Sequence, residues 1–265
     1  SGLDHPHGML LLGNAVIISE EGKLTRYDSN FENSEVLVQG IPSGNHQTNA
    51  VNLLPNGTLI WHSGSTCNHC DEDDSRNAAL LWVNATTGEH GILATGVRNS
   101  FDGVWVDEIG YLFTDNGQDA EGNDFPNEEV NLLVDGADYG WLVESKSDPN
   151  PEGTEAPVAT WTPHTSVNGM TTRPANMPGD KYTVYATVYG SWATILPAGH
   201  QILKIDFTQT DDGWVGDVEI FAEDVGTPLP ITGGPDGNLY YATFDHGGSV
   251  HVISPEANWW TSSSD

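Results

Sequence analysis

Apolar residues along the chain come in short runs, often alternating with polar ones, and Gly, Pro, Asn or Asp closes almost every run. Alternation with period two puts every second side chain on one face of a strand. The i, i+3, i+4 spacing of an amphipathic helix is almost absent. The pattern predicts an all-β chain built of many short strands.

One unit recurs. An apolar run is followed by a turn carrying Gly and then by a strand rich in aromatic and branched residues. It reads AVNLLPNGTLIWHSGS at 50–65, FDGVWVDEIGYLFTDNG at 101–117 and ITGGPDGNLYYATFDHGG at 231–248, with looser copies at 7–28 and 168–191. Further strands, such as ALLWVN (79–84) and HQILKIDF (200–207), lie between copies, and connectors of the form GV or GI follow them. Repeats of roughly 40 to 60 residues with up to four strands predict propeller blades. A β-sandwich would not repeat the same PNG or PDG turn at blade spacing. The expected fold is therefore one β-propeller domain over 1–265, of four-stranded blades, with five units visible. Trp82, Trp105 and Trp141 are expected to fill space between blades.

Charge changes the picture next. There are 38 Asp and Glu against 8 Lys and Arg, a formal charge of −30. Nucleic acid and anionic membrane surfaces are excluded as partners, because the long-range term would be repulsive. No run approaches the roughly 18 apolar residues of a membrane span, so membrane insertion is not expected. The acids serve either solubility in high salt or the holding of cations. Clusters such as 71–74 fall where a loop is solvated, which favours the saline setting. The opening SGLDHPHG is not a signal peptide, so an extracytoplasmic chain requires that one has been removed.

In a propeller the connectors gather at one mouth, so chemistry is sought there. His46 follows the first connector, Arg98 and Asn99 sit in the second, and His164 lies in the next. The segment TDNGQDAEGNDFPNEEVNLL (114–133) supplies Asp115, Asn116, Asp119, Asn123, Asp124, Glu128 and Glu129. Such oxygen density suits Ca²⁺, although no EF-hand spacing is present, and a solvated acidic loop has the same composition. Cys67 and Cys70 flank a His in GSTCNHC, a spacing open to half a metal site, a redox pair or a staple on a loop.

An ordered series of motifs resembles the soluble pyrroloquinoline quinone (PQQ) dependent glucose and sorbosone dehydrogenases. It runs HPHG (5–8), GNHQTNAVNLLPNGTL (44–59), GSTCNHC (64–70), RNAALLWVN (76–84), GVRN (96–99), the acidic segment, GADYGW (136–141), PHTSVNG (163–169), YGSW (189–192) and GPDGNLY (234–240). The resemblance implies a six-bladed propeller. It implies oxidation of an aldose or sugar-derived aldehyde, with hydride passing to PQQ held over Ca²⁺ and an external electron acceptor downstream. It makes His46 the general base. Arg98, Asn99, His164, Trp192 and Thr227 become cofactor contacts. The carbonyls of Gly117 and Gln118, with Asp115, Asp119, Asp124 and Glu128 nearby, become the metal ligands. Since the chain starts at what reads as a connector, either a blade before HPHG is missing or the propeller is a short, five-bladed one. In an extracytoplasmic chain Cys67 and Cys70 are expected to form a short disulfide, and the resemblance places them beside the funnel. Two other functions share the fold: a non-catalytic propeller binding carbohydrate or cations, and a metal-dependent lactonase.

Overall fold

Short turns or longer loops fold each apolar run back onto the one before it, and five antiparallel sheets result. The computed structural model describes residues 2–191, 198–245 and 247–255. Blade 1 holds β1 (Gly8–Leu12), β2 (Ala15–Glu20), β3 (Lys23–Asp28) and β4 (Ser34–Gln39). Blade 2 holds β5 (Thr48–Leu53), β6 (Thr58–Ser63), β7 (Ala79–Asn84) and β8 (His90–Thr95). Blade 3 holds β9 (Gly103–Val106), β10 (Gly110–Asp115), β11 (Glu128–Leu132) and β12 (Ala159–Trp161). Blade 4 holds β13 (Val167–Thr172), β14 (Thr183–Val188), β15 (Gln201–Thr210) and β16 (Gly213–Ala222). Blade 5 shows β17 (Pro228–Gly233), β18 (Leu239–Thr243) and β19 (Val250–Ile253), three strands rather than four among the described residues. Each sheet is a plain meander in chain order. No α-helix occurs among the described residues, so none is long and apolar enough to cross a membrane.

The turns explain the sequence punctuation. Glu20 pairs with Lys23, leaving Glu21 and Gly22 as a two-residue hairpin loop. Gly22 has φ +64°, and a Cβ there would lie 2.2 Å from the Ile41 carbonyl oxygen, so glycine is required on two counts.

The first strand of each sheet packs beside the first strand of the next, β1 on β5, β5 on β9, β9 on β13 and β13 on β17. Between blades 1 and 2 lie Ile17, Leu24, Leu59, Trp61 and Leu81; between blades 3 and 4 lie Leu112, Val130, Val184, Leu203 and Ile205. Glycine lets the inner strands crowd together: a Cβ on Gly8 would come within 2.8 Å of the Asn49 oxygen, and one on Gly169 within 2.5 Å of the Leu229 oxygen. Side chains stitch the centre, Asn52 donating to Asp102 at 3.2 Å and Thr187 to the Leu229 carbonyl at 2.7 Å. No comparable core joins blade 5 to blade 1 among the described residues. Both carry exposed apolar side chains, Met9 and Leu11 on β1, Val250 and Val252 on β19.

The tryptophans divide. Trp141 is buried, whereas Trp105 is 37% exposed and donates its indole N–H to Asp107, so it does not fill an inter-blade gap as expected. Trp61, on an inner-facing position of β6, is completely buried in the core between blades 1 and 2.

Candidate functional site

The connectors after β4, β8 and β12, with the loop after β10, converge on one cavity of about 450 Å³. It brings together His46, Arg98, Asn99, Gly117, Asp119, Glu128 and His164, which lie far apart in the chain. Gln118 is buried beneath it, and Asp115 lies behind the wall.

His46 is half-buried and is held by backbone as well as side chain. Its N–H donates to the Ser65 carbonyl at 3.1 Å, and its Nδ1 lies 2.9 Å from Ser65 Oγ. Burial, seconded by the positive charge of Arg98, pushes its pKa down to about 3, against a weaker upward pull from the Ser65 backbone. The ring is therefore neutral at any ordinary pH, with a lone pair available.

Arg98 is 4% exposed, and four of its five guanidinium N–H donors are taken by the protein. Nε donates to the Asn68 carbonyl at 3.2 Å, Nη1 to the Asn116 carbonyl at 3.2 Å, and Nη2 to Asn68 Oδ1 at 2.8 Å and Asp119 Oδ2 at 2.9 Å. Asn68 lies inside the loop closed by Cys67 and Cys70, whose sulfurs are bonded at 2.06 Å. Trp141 donates to the same Asn68 carbonyl at 3.2 Å. The disulfide loop does not itself line the mouth; it stands behind Arg98 and Asp119, with Arg98 and Trp141 fastened to it.

The acidic segment splits into different tasks. Asp115 accepts the backbone N–H groups of Arg98 and Asn99, at 3.0 and 2.9 Å, and so shapes the connector; burial raises its pKa to about 7. Glu128 accepts the Ser166 N–H at 2.8 Å through Oε1, while Oε2 is buried without a partner among the described residues. Burial pushes Glu128 up to about 8, opposed by the Ser166 and Thr165 amides. Gln118 Oε1 and Asn116 Oδ1 are likewise buried and unpartnered. Asp124 is different: it is exposed, pairs with Lys146 at 2.5 Å, and does not line the mouth. His164 Nε2 faces the Gly122 and Phe125 carbonyls at 2.8 and 3.0 Å, so this ring ties down the acidic loop. Thr227 sits in the last connector with its hydroxyl unpartnered among the described residues, and it does not line this cavity. Trp192 lies outside the described residues.

Several residues at the mouth carry no role in the sequence reading. His7 lines the cavity, with Nδ1 3.0 Å from Asn49 Oδ1, and Asn49 in turn donates to Asn99 Oδ1 at 3.0 Å. The recurrence of His in HPHG was the only signal for His7. Glu144 had none: it joins Asp115, Glu129 and Asn127 around a second, enclosed cavity of about 10 Å³ behind Gly117. Burial raises both Glu129 and Glu144 to about 8, and the neighbouring carboxylates push the same way. Arg98 lines the same small cavity and sets a positive charge against these carboxyls.

No protein-family model matches the chain. An uncharacterized protein of Borreliella burgdorferi is 26% identical over 239 residues, covering 80% of this chain; the chain spans 62% of that relative's length. Among solved structures, a calcium structure of the Trichoderma reesei carbohydrate-active enzyme of family AA12 aligns with TM-score 0.73 at 16% identity, over 94% of this chain and 80% of that one. The holo form of the pyranose dehydrogenase PQQ domain from Coprinopsis cinerea aligns with TM-score 0.65 at 16% identity, over 96% and 93%. At such identities the likeness is one of fold.

Proposed function

We propose that the protein oxidises a small sugar or sugar-derived aldehyde at this mouth, using PQQ and Ca²⁺ and passing electrons to an external acceptor. The observation that carries the reading is the gathering of His46, Arg98, Asn99 and His164 around one cavity of about 450 Å³. The fold shared with a pyranose dehydrogenase PQQ domain supports it.

The residues present fit a hard dication. Glu128 Oε2, Asn116 Oδ1 and Gln118 Oε1 are buried acceptors without partners, and Ca²⁺ takes six to eight oxygens, backbone carbonyls included. Gly117 and Gln118 are the positions whose carbonyls would join them. An anionic quinone would face Glu21, Asp119 and Glu128 at the mouth, where Arg98, the one guanidinium in the lining, gives most of its N–H donors to the protein. Such a group fits here together with the cation, which supplies the positive charge the side chains lack. When bound, the quinone is the hydride acceptor and the cation polarises it. His46 takes the proton of the substrate hydroxyl at its free ring nitrogen. Arg98, through its remaining Nη1 N–H, and Asn99 would help hold the cofactor, and the Asn68 loop keeps the Arg98 fork from turning away.

The test is dye-linked oxidation of a panel of aldoses and aldehydes with PQQ and Ca²⁺, paired with calorimetry of PQQ binding. Turnover that needs both cofactors, and quinone binding that vanishes with chelator, is the expected result. No quinone binding at any Ca²⁺ concentration would sink the reading. It would favour a propeller that binds carbohydrate or cations without turnover, the alternative supported by Arg98 giving four of its five N–H donors to the protein. Hydrolysis of gluconolactone without PQQ would point to the lactonase instead. The disulfide and the charge of −30 support an extracytoplasmic, saline setting. Loss of folding in low salt, restored by added NaCl, is the result expected of it.

A further inference from the structure

Ser65 has one hydroxyl proton and two close neighbours. Its Oγ lies 2.7 Å from the Cys67 carbonyl and 2.9 Å from His46 Nδ1. A carbonyl oxygen can only accept, so the Ser65 proton goes to Cys67. Toward His46 the same oxygen is then the acceptor, and the shared proton must sit on Nδ1. We propose that Ser65, oriented by the Cys67 carbonyl, is a positioning residue that fixes His46 as the Nδ1–H tautomer and leaves Nε2 as its open, proton-accepting atom. The inference rests on His46 being the base and adds what selects the atom that does the work.

The surroundings hold this relay in place. The backbones of 44–47 and 64–66 are paired, with Asn45 N–H to the Thr66 carbonyl at 2.8 Å and Gly64 N–H to the Gln47 carbonyl at 3.0 Å. Glycine makes the approach possible: a Cβ on Gly64 would lie 2.6 Å from His46 Cβ, and one on Gly44 2.0 Å from the Thr66 oxygen. Beyond Ser65, the Glu72 carboxylate accepts both the N–H and the hydroxyl of Thr66 at 2.7 Å. The Cys67–Cys70 bond closes the turn that carries the Cys67 carbonyl, and Asn68 inside it is bonded to Arg98, Asp119 and Trp141. Ser65 itself is fully buried, so water does not compete for its hydroxyl. His46 Nε2 has no partner among the described residues. The burial and Arg98 charge that keep the ring neutral remove the alternative in which both nitrogens carry protons.

His164 supplies a control within the same protein. Its Nε2 faces two carbonyls, which only accept, so on that ring it is Nε2 that carries a proton.

The experiment is long-range ¹H–¹⁵N correlation of the full chain with ¹⁵N-labelled histidine near pH 7.5, the His46 signals assigned with His46→Gln. We expect a protonated Nδ1 and a bare Nε2 on His46, and a protonated Nε2 on His164. Ser65→Ala should shift the His46 tautomer ratio roughly fivefold to tenfold toward Nε2–H, the worth of one hydrogen bond. Ser65→Thr, which keeps the hydroxyl, should restore the wild-type ratio. In the turnover assay Ser65→Ala should lower kcat about tenfold with little change in KM, and Ser65→Thr should recover most of it. An Nε2–H tautomer on wild-type His46 would overturn the inference, as would an unchanged ratio in Ser65→Ala. Should Ser65→Ala not fold, the wild-type spectrum alone decides. A pinned Nδ1–H tautomer with turnover untouched by His46→Gln would leave Ser65's role standing and remove the base reading instead.

Discussion

Glu128 and Ser166 share a single hydrogen bond of 2.8 Å, from the Ser166 N–H to Glu128 Oε1, and the other carboxylate oxygen is buried with nothing to accept. A carboxylate in that state is held protonated by its surroundings or waits for a cation. Glu128→Gln keeps an oxygen for Ser166 and removes the charge. Its melting temperature without metal should stay within a few degrees of the wild type, while stabilisation by added Ca²⁺ is lost. Titration calorimetry that shows wild-type Ca²⁺ affinity in this variant would exclude Glu128 from the cation site.

Stability should fall as pH rises from about 6.5 to about 8 when metal is removed. Glu128, Glu129 and Glu144 are raised to about 8 by burial, so in this window the folded chain binds more protons than the unfolded one. Their contribution is complete below the ordinary carboxylate range and disappears as pH passes the folded value. His46 and His62, both depressed to about 3 by burial, act in the opposite sense, but only below about 6.5. Urea unfolding in chelator at pH 6.5, 7.2 and 8 measures the slope, and a rise over that range would contradict it. Added Ca²⁺ should flatten it, because the ion takes the protons' place.

Arg98→Lys keeps the charge and loses the fork. An ammonium cannot serve Asn68, Asn116 and Asp119 together from one position, and the buried acceptors left over cost about 2 kcal/mol or more. The expected result is a lower urea midpoint and quinone binding weakened well beyond the wild type. Unchanged stability would mean that the loop around Asn68 is held by the disulfide and Trp141 alone.

His46→Ala should lower turnover roughly 10²- to 10⁴-fold, the usual worth of a general base, while PQQ affinity moves far less. The pH profile of wild-type kcat/KM should also lack an acid limb near 6.5, since the His46 pKa lies at about 3. Equal loss of binding and turnover would make His46 a cofactor contact.

Much of the fold was written locally. Short apolar runs such as the one in TLIWHS gave β6 (Thr58–Ser63), the PNG and two-residue turns set the tight hairpins, and repeat spacing announced the blades, because strand length and turn conformation depend on near neighbours. The recurrence of connectors likewise pointed to His46, Arg98, Asn99 and His164, and the structure places all four at one mouth. Asp124 shows where this reading stops. From composition it is one more oxygen in an acidic segment; only the tertiary structure turns it outward to Lys146 while turning Glu128 inward.

GSTCNHC was ambiguous for the same reason. Two cysteines and a histidine in a row fit several chemistries until the distances around them are known. The sequence by itself determined an acidic, all-β, bladed chain, since period, turns and charge are properties of short stretches. Only the tertiary structure decided that the Cys67–Cys70 loop carries Asn68 to Arg98 and the Cys67 carbonyl to Ser65. The direction of a hydroxyl proton and the site of a lone pair depend on atoms brought together from distant blades. No local pattern encodes them.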